Sequence, residues 1–296
     1  MAYKIKCDVC GSAEYLPLYD MDGKYSIIRC SGCGLWLSYP ILNNEEIERV
    51  YAKYHEVWGI VGKDEEMHRK MRHLTFRCLF KSLSRFTPHR GRLLDIGCAT
   101  GICMEVGEEF GWDVYGVDIS EEAARVAKAR FGSRVEALDF VRAKEMPSDH
   151  YDMIIMTDVL EHLNGARIAV EKVYKMLRPG GIAVIVTVDT SSLFAKFTGK
   201  RWPYIHRQHL VYFSKKNLNA FLRTMGFKIL GFKSAFKSIN PYYAGEYMRQ
   251  KSEESAKKKS SAVSLMEGLI GRLPPRLKYH NFIIPSGDIV AIAKKG

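Results

Sequence analysis

No apolar run in this 296-residue chain approaches the ~18 residues that a membrane-crossing helix requires. The opening Met1-Ala2-Tyr3-Lys4-Ile5-Lys6-Cys7 has no apolar signal-peptide core. Together these absences make a cytoplasmic protein the expectation. Internal repeats and low-complexity tracts are missing too. Cysteine is sparse at seven residues, and four of them stand in two C-x-x-C pairs. In a reducing compartment such pairs point to a metal rather than to disulfides. What the chain does have is 47% hydrophobic residues and mixed charges, the composition of a globular protein of one or two domains with an ample core. Its formal charge of +12 asks for an anionic partner or a solvated basic surface.

The rest is organised around Leu93-Leu94-Asp95-Ile96-Gly97-Cys98-Ala99-Thr100-Gly101. Its start reads as a buried strand ending in a tight turn, and Ile102, Cys103, Met104 and Val106 begin a helix. Small residues at such a turn let backbone approach a ligand, while helix N-terminal N–H groups favour a negative group. The pattern is D-x-G-x-A-x-G, without the middle glycine that makes room for a pyrophosphate in G-x-G-x-x-G loops. An acidic strand end, Asp95, suits a cationic amino group better. The matching ligand carries an amino acid and an adenosine but no phosphate.

This stretch resembles motif I of class I S-adenosylmethionine (SAM) dependent methyltransferases, and the downstream pieces follow in that family's order. Asp113 to Asp118 looks like the second strand, Val135 to Asp139 the third and Tyr151 to Met156 the fourth. Leu177-Arg178-Pro179-Gly180-Gly181 is similar to the turn before the fifth. The resemblance implies an α/β, Rossmann-like, seven-stranded sheet in the order 3-2-1-4-5-7-6. It also implies SAM contacts from Asp95, Gly97, Cys98, Ala99, Gly101, Asp118, Ile119, Asp139 and Thr157. Asp118 would hold the ribose hydroxyls and Asp139 would face the adenine amino group.

Ahead of this domain, Cys7-x-x-Cys10 and Cys30-x-x-Cys33 each precede a glycine, Gly11 and Gly34, which permits the knuckle that points two thiolates at one ion. Four cysteines make a closed, structural zinc site, and a module this small would draw its folding energy from the metal. The thiols of Cys78, Cys98 and Cys103 read as ordinary small packing groups. Helices are expected from Asn43 or Asn44, with Ile47, Val50, Tyr51 and Tyr54 in register, and from Glu65 to Phe86. The resulting division is a zinc ribbon over 1–40, a helical linker or cap over 41–90, and a SAM-binding domain over 91–296.

The ribbon followed by a tyrosine-rich helix is similar to zinc-ribbon methyltransferases acting on sugars and small metabolites, among them sugar C-methyltransferases, whose extra C-terminal domain has no counterpart here. Tyr204 to Ser214 looks like the segment that supplies their catalytic histidine, which places a general base at His209, with His206 its nearest rival. After the fourth strand, Asp158, Glu161 and His162 stand i, i+3 and i+4, so they would share one helical face. Ubiquinone-biosynthesis O-methyltransferases resemble this stretch and hold magnesium with an E-x-x-E-H cluster; the preferred reading here is a helix start without metal. No Asn-Pro-Pro-Tyr motif follows the fourth strand and no Pro-Cys occurs, so oxygen or activated carbon is the expected methyl acceptor.

The acceptor is expected to be a small metabolite, such as a sugar or a lipid-linked glycan precursor. An RNA methyltransferase that grips nucleic acid through its ribbon is the alternative, motivated by the charge and the basic-aromatic loop over 189–214. An insertion over 237–285 between the last two strands carries Lys257–Lys259 and then an amphipathic stretch, a pattern that would suit an anionic membrane surface.

Overall fold

The structure is a computed structural model and describes residues 3, 5–51, 65–254 and 268–296. Tyr54, the segment 57–64, Lys257–Lys259 and the apolar residues Val263, Leu265 and Met266 lie outside the described residues. The chain runs β1 (Tyr15–Met21), β2 (Tyr25–Cys30), β3 (Trp36–Tyr39), α1 (Asn44–Tyr51), α2 (Glu65–Leu83) and β4 (Arg92–Ile96). Next come α3 (Ile102–Glu109), β5 (Asp113–Asp118), α4 (Glu121–Phe131), β6 (Val135–Ala137), β7 (Tyr151–Thr157) and α5 (Ala166–Met176). The last part holds β8 (Leu177–Val188), α6 (Leu193–Thr198), β9 (Val211–Tyr212), α7 (Lys215–Thr224), β10 (Phe227–Ile239), α8 (Pro241–Glu254), α9 (Pro275–Lys278) and β11 (Phe282–Lys295).

Seven strands form one sheet in the order β10-β11-β8-β7-β4-β5-β6, which is the expected class I methyltransferase order read from the other edge. The β4, β5, β6, β7 and β8 neighbours pair parallel, and β11 runs antiparallel between β8 and β10. Met153 to Met156 in β7 and Ile182 to Val188 in β8 are continuously buried, as strands covered on both faces must be. One core cluster lies on each face: Leu94, Ile154, Ile185 and Phe221 on one, Leu93, Met153, Val184 and Phe80 on the other.

Three differences from the sequence expectation matter for the site. The strands flanking the insertion are longer than expected, so β10 and β11 pair continuously from Phe227↔Lys295 out to Ile239↔Phe282, apart from two bulges, and Lys237 lies in a strand. The run Leu177 to Gly181, expected as a turn, belongs to β8, and a register shift against β7 between Tyr151 and Met153 accommodates it. Third, the residues after β7 do not start an α-helix: Asp158 has a left-handed φ of 55° and Leu160–His162 is a single 3-10 turn.

The N-terminal strands build a second sheet, β1-β2-β3-β9, whose fourth member comes from the loop after β8. Cys7, Val9, Ile28, Leu35 and Leu37 belong to the same apolar cluster as the large sheet. Arg167 of α5 fastens the first knuckle from below, donating from Nε to the Asp8 carbonyl (2.7 Å) and from Nη2 to the Val9 carbonyl (3.0 Å).

Candidate cofactor and acceptor site

At the carboxyl end of β4 the chain turns back so tightly that Gly97 and Cys98 both donate to the Val117 carbonyl, at 2.8 and 3.1 Å. Gly97 (φ 78°), Ala99 (φ 48°) and Gly101 (φ 84°) are left-handed. At Gly101 a side chain would also strike Phe131, whose Cε2 stands 2.8 Å from the position of a Cβ. Asp118, at the end of β5, braces this loop: Oδ2 accepts from Ala99 N–H and Oδ1 from Ser120 N–H, both at 2.8 Å. Ser120 in turn caps α4 by accepting from Ala123 N–H. Cys98 turns its thiol into the core under Gly116, where a β-carbon would meet it at 2.8 Å.

The remaining positions expected to contact SAM fall along the same edge. Ile119 is half-buried directly beyond Asp118. Asp139 follows β6 and is occupied locally, its Oδ1 accepting from Val141 and Arg142 N–H. Thr157 ends β7 with its hydroxyl buried and without a hydrogen-bond partner among the described residues. Asp95 is 2% exposed, and its Oδ2 also lacks a partner among the described residues. Burial raises the Asp95 carboxyl to about 7 against a smaller downward pull from the Cys103 thiol, and Asp118 adds a further push upward. An orphaned buried carboxylate oxygen beside a left-handed glycine cradle fits a ligand that brings a cationic donor, as the amino group of SAM would.

A methyltransferase-domain family model matches residues 64–231. The chain belongs to that family. Among curated relatives, the ubiquinone biosynthesis O-methyltransferase of Pelagibacter ubique is 29% identical over 158 residues, covering 50% of this chain and 66% of that protein. Its namesake from Mesorhizobium japonicum is 30% identical over 156 residues, covering 49% and 63%. The chain thus spans just under two thirds of these relatives. A Thermotoga maritima structure described as a SAM-dependent methyltransferase and possible histamine N-methyltransferase matches with TM-score 0.54 at 17% identity, over 84% of this chain and all of that one. A SAM-dependent methyltransferase structure from Archaeoglobus fulgidus matches at 0.52 and 20% identity, over 79% of this chain and 100% of that one. At these identities the two structures speak for the fold. The relatives' names carry O-methylation, with no sugar or nucleic acid in them.

The loop between β8 and α7 folds over the carboxyl ends of β7 and β8. Leu210 N–H donates to the Glu161 carbonyl at 2.8 Å, and Ser214 caps α7 in a reciprocal box with Asn217. His209 is 5% exposed, with its ring centroid 3.8 Å from that of His206 and 4.5 Å from that of His162, and with Tyr204 stacked near it at 6.2 Å. Burial, and then the neighbouring His162, His206 and Lys237, hold its imidazole well below the usual histidine range, so it stays neutral at physiological pH. Burial likewise takes His162 down to about 4 and Glu161 up to about 8. The Glu161 carboxylate accepts from Thr187 Oγ1 at 2.8 Å.

The arrangement corrects the expectation that Asp158, Glu161 and His162 share a face. Ligand atoms of Glu161, His162 and His209 lie within 4.8 Å of one another, so His209 stands where the spacing placed Asp158. Asp158 faces elsewhere, its Oδ2 taking Arg72 Nη1 (3.4 Å) and its Oδ1 taking Lys237 Nζ (3.3 Å). Burial pushes its carboxyl up, but the two cations outweigh that and hold it below the usual range. Lys237 also reaches the fully buried Asp288 at 2.8 Å, and Tyr204 donates to the same carboxylate at 3.3 Å. Sequence reasoning missed Arg72, Lys237 and Asp288. They come from α2, β10 and β11, and no local pattern brings them together.

The four ribbon thiols converge as their spacing implied. All four sulfurs lie within 4.8 Å of one another, with Cys7–Cys33 and Cys10–Cys30 at 3.5 Å. Bonds of about 2.3 Å in a tetrahedron place sulfurs about 3.8 Å apart, so the set fits one zinc ion and leaves no position open for chemistry.

Proposed function

We propose that this protein transfers the methyl group of SAM to a hydroxyl oxygen of a small acceptor, with a structural zinc held by Cys7, Cys10, Cys30 and Cys33. The observation that carries the reading is the orphaned Asp95 carboxylate oxygen beside the Gly97–Gly101 cradle. Asp95 would receive the amino group of SAM, Asp118 its ribose hydroxyls, and Ile119, Asp139 and Thr157 would line the rest. Bound SAM supplies an electrophilic methyl on a positively charged sulfur. The chain's part is to orient the acceptor and take its proton. His209, neutral and near the carboxyl end of β7, is the base in this reading; Tyr204 and His206 shape the space beside it.

Calorimetry of the zinc-loaded protein with S-adenosylhomocysteine tests the cofactor half, and absence of binding refutes it. Labelled SAM offered with catechol and with free and nucleotide-linked sugars tests the acceptor half. Turnover of catechol alone supports an aromatic hydroxyl acceptor, and turnover of the sugars supports the class that the ribbon resemblance implies. His209→Ala is expected to lower kcat by ~10²–10⁴-fold with cofactor affinity unchanged.

One observation favours an acceptor presented on a lipid surface. Within the loop between β8 and α7, Leu193 and Phe197 of α6 are 84% and 93% exposed, flanked by exposed Lys196, Lys200 and Arg201. Apolar tips among cations suit an anionic bilayer. Sedimentation with phosphatidylglycerol vesicles decides: Phe197→Ser should release the protein, and equal binding by both forms removes this reading. An RNA substrate has less support, because many of the basic groups are already paired, as in Arg134–Glu108, Arg178–Asp152 and Lys295–Asp149.

A further inference from the structure

We propose that the four-thiol ribbon is one wall of the acceptor site, and that Ser38 on its third strand is a positioning residue that sets the orientation of His209. The inference rests on the reading of His209 as the base. Its starting point is the strand pairing Trp36↔Tyr212 and Leu37↔Val211, which joins the ribbon to the acceptor loop immediately after His209. Beyond those pairs, Ser38 N–H donates to the Leu210 carbonyl at 3.0 Å. The Ser38 hydroxyl, fully buried, donates to the carbonyl of His209 itself at 2.6 Å.

This contact falls at a crowded point. His209 N–H already closes a turn onto the His206 carbonyl at 3.1 Å, and the Tyr212 hydroxyl donates to that same carbonyl at 3.2 Å while lying 3.4 Å from Ser38 Oγ. On the far side, the Gln208 carbonyl lies 3.0 Å from His162 Nδ1, and Leu210 N–H donates to Glu161. The segment 206–210 is therefore clamped between a ribbon strand and the 3-10 turn after β7. Apolar packing continues the joint: Ile27 of β2 shares a cluster with Trp202, Ile205 and Tyr212, and Tyr25 and Trp36 pack against it.

A backbone clamped at the carbonyl of the base fixes where that residue's Cα–Cβ bond points. Ser38 does not reach the imidazole, so it acts through the peptide rather than on the acceptor. Without the hydroxyl, the His209 carbonyl is left buried with a lost partner, and the peptide is free to rotate away from the geometry that aims the ring. Misplacing a reacting group by about 1 Å costs on the order of 10²-fold in rate. A ribbon that served only as a separately folded appendage would have no such bond.

The test uses the full-length, zinc-loaded protein labelled at the histidine ring carbons. His209→Gln identifies the His209 ring resonance. Ser38→Ala keeps the strand pairing through its own N–H and removes only the hydroxyl. The expected result is a His209 resonance displaced by more than its linewidth, unchanged His68 and His150 resonances, and S-adenosylhomocysteine affinity within about twofold of the parent. With catechol as acceptor, kcat is expected to fall about 10–100-fold while KM stays within about threefold. Tyr212→Phe, which removes the donor to the His206 carbonyl, should displace the same resonance by less, and it replaces Ser38→Ala if that variant does not fold. An unmoved His209 resonance in the folded variant overturns the proposal whatever the turnover. A displaced resonance in a protein that turns over no hydroxyl acceptor supports the positioning and counts against His209 as the base.

Discussion

Replacing Asp118 by asparagine separates the brace it gives the loop from the ribose contact proposed for it. The carboxylate accepts two backbone N–H groups at 2.8 Å, from Ala99 in the glycine loop and from Ser120 at the start of α4. Asparagine has one acceptor oxygen and one amide nitrogen. Whichever way it turns, one backbone donor faces another donor and is left unsatisfied, at a cost of about 1–3 kcal/mol. Against this, burial pushes the Asp118 carboxyl up, more than the two amides pull it down. A neutral side chain relieves that burial cost, which offsets part of the loss. The net expectation is a folded state less stable by about 1–2 kcal/mol before any cofactor is added. Urea unfolding at pH 7 measures it as a lower midpoint at unchanged slope. S-adenosylhomocysteine affinity should fall as well, by about 10–100-fold, if the same oxygens hold the ribose. The reasoning fails if the variant unfolds within about 0.5 kcal/mol of the parent, the scatter of an indifferent surface change. The loop would then hold its shape without the carboxylate, whatever happens to affinity.

The pH dependence of the cofactor-free protein has a definite sign. Asp95 (about 7) and Glu161 (about 8) are raised by burial, so the folded state holds protons that the unfolded state has released, and stability should rise as pH falls from about 8 to about 6.5. Below about 6.5 the gain should level off, because His162 and His209, lowered by burial, take up protons only on unfolding; thermal midpoints at a series of pH values would contradict this by rising steadily to pH 5. Cys30→Ser should open the ribbon, accelerating hydrogen exchange at Val211 and Tyr212 of β9 while Leu94 and Ile154 in the main sheet stay protected; equal protection at all four in parent and variant would refute the joint. Gly116→Ala would put a β-carbon 2.5 Å from Met104 Sδ and 2.8 Å from Cys98 Sγ, so it should cost about 1–3 kcal/mol by urea unfolding, and an undiminished midpoint would show that the loop yields freely.

Much of the fold was legible because its signals are short-range. The turn at Gly97 to Gly101 is written in residues that must be small or left-handed. The seven-strand order came with the resemblance to class I methyltransferases that the succession of motifs carries. The acceptor side was less legible for a physical reason. The i, i+3, i+4 spacing of Asp158, Glu161 and His162 has meaning only on an α-helix. The chain leaves that geometry at Asp158, where a left-handed φ lets its N–H donate to the Val186 carbonyl at 3.0 Å and its carboxylate reach Arg72 and Lys237.

The partners of that carboxylate sit 86 residues upstream and 79 downstream, and no periodicity records them. Ser38 is the sharper case. It reads as the end of a ribbon, yet its hydroxyl bonds a carbonyl 171 residues away. The cofactor cradle is one strand–turn–helix with a brace from the next strand, so a contiguous motif encodes nearly all of it. The proposed acceptor side draws on α2, β3, the 3-10 turn after β7, the His206–Tyr212 segment, β10 and β11. Outside the His206–Tyr212 segment each contributes one or two residues, and none of them stands in a local pattern that marks it. A site assembled this way can change acceptor by altering any one of those segments while the donor cradle stays intact. That is why the motif fixes the donor chemistry far better than it fixes what receives the methyl group.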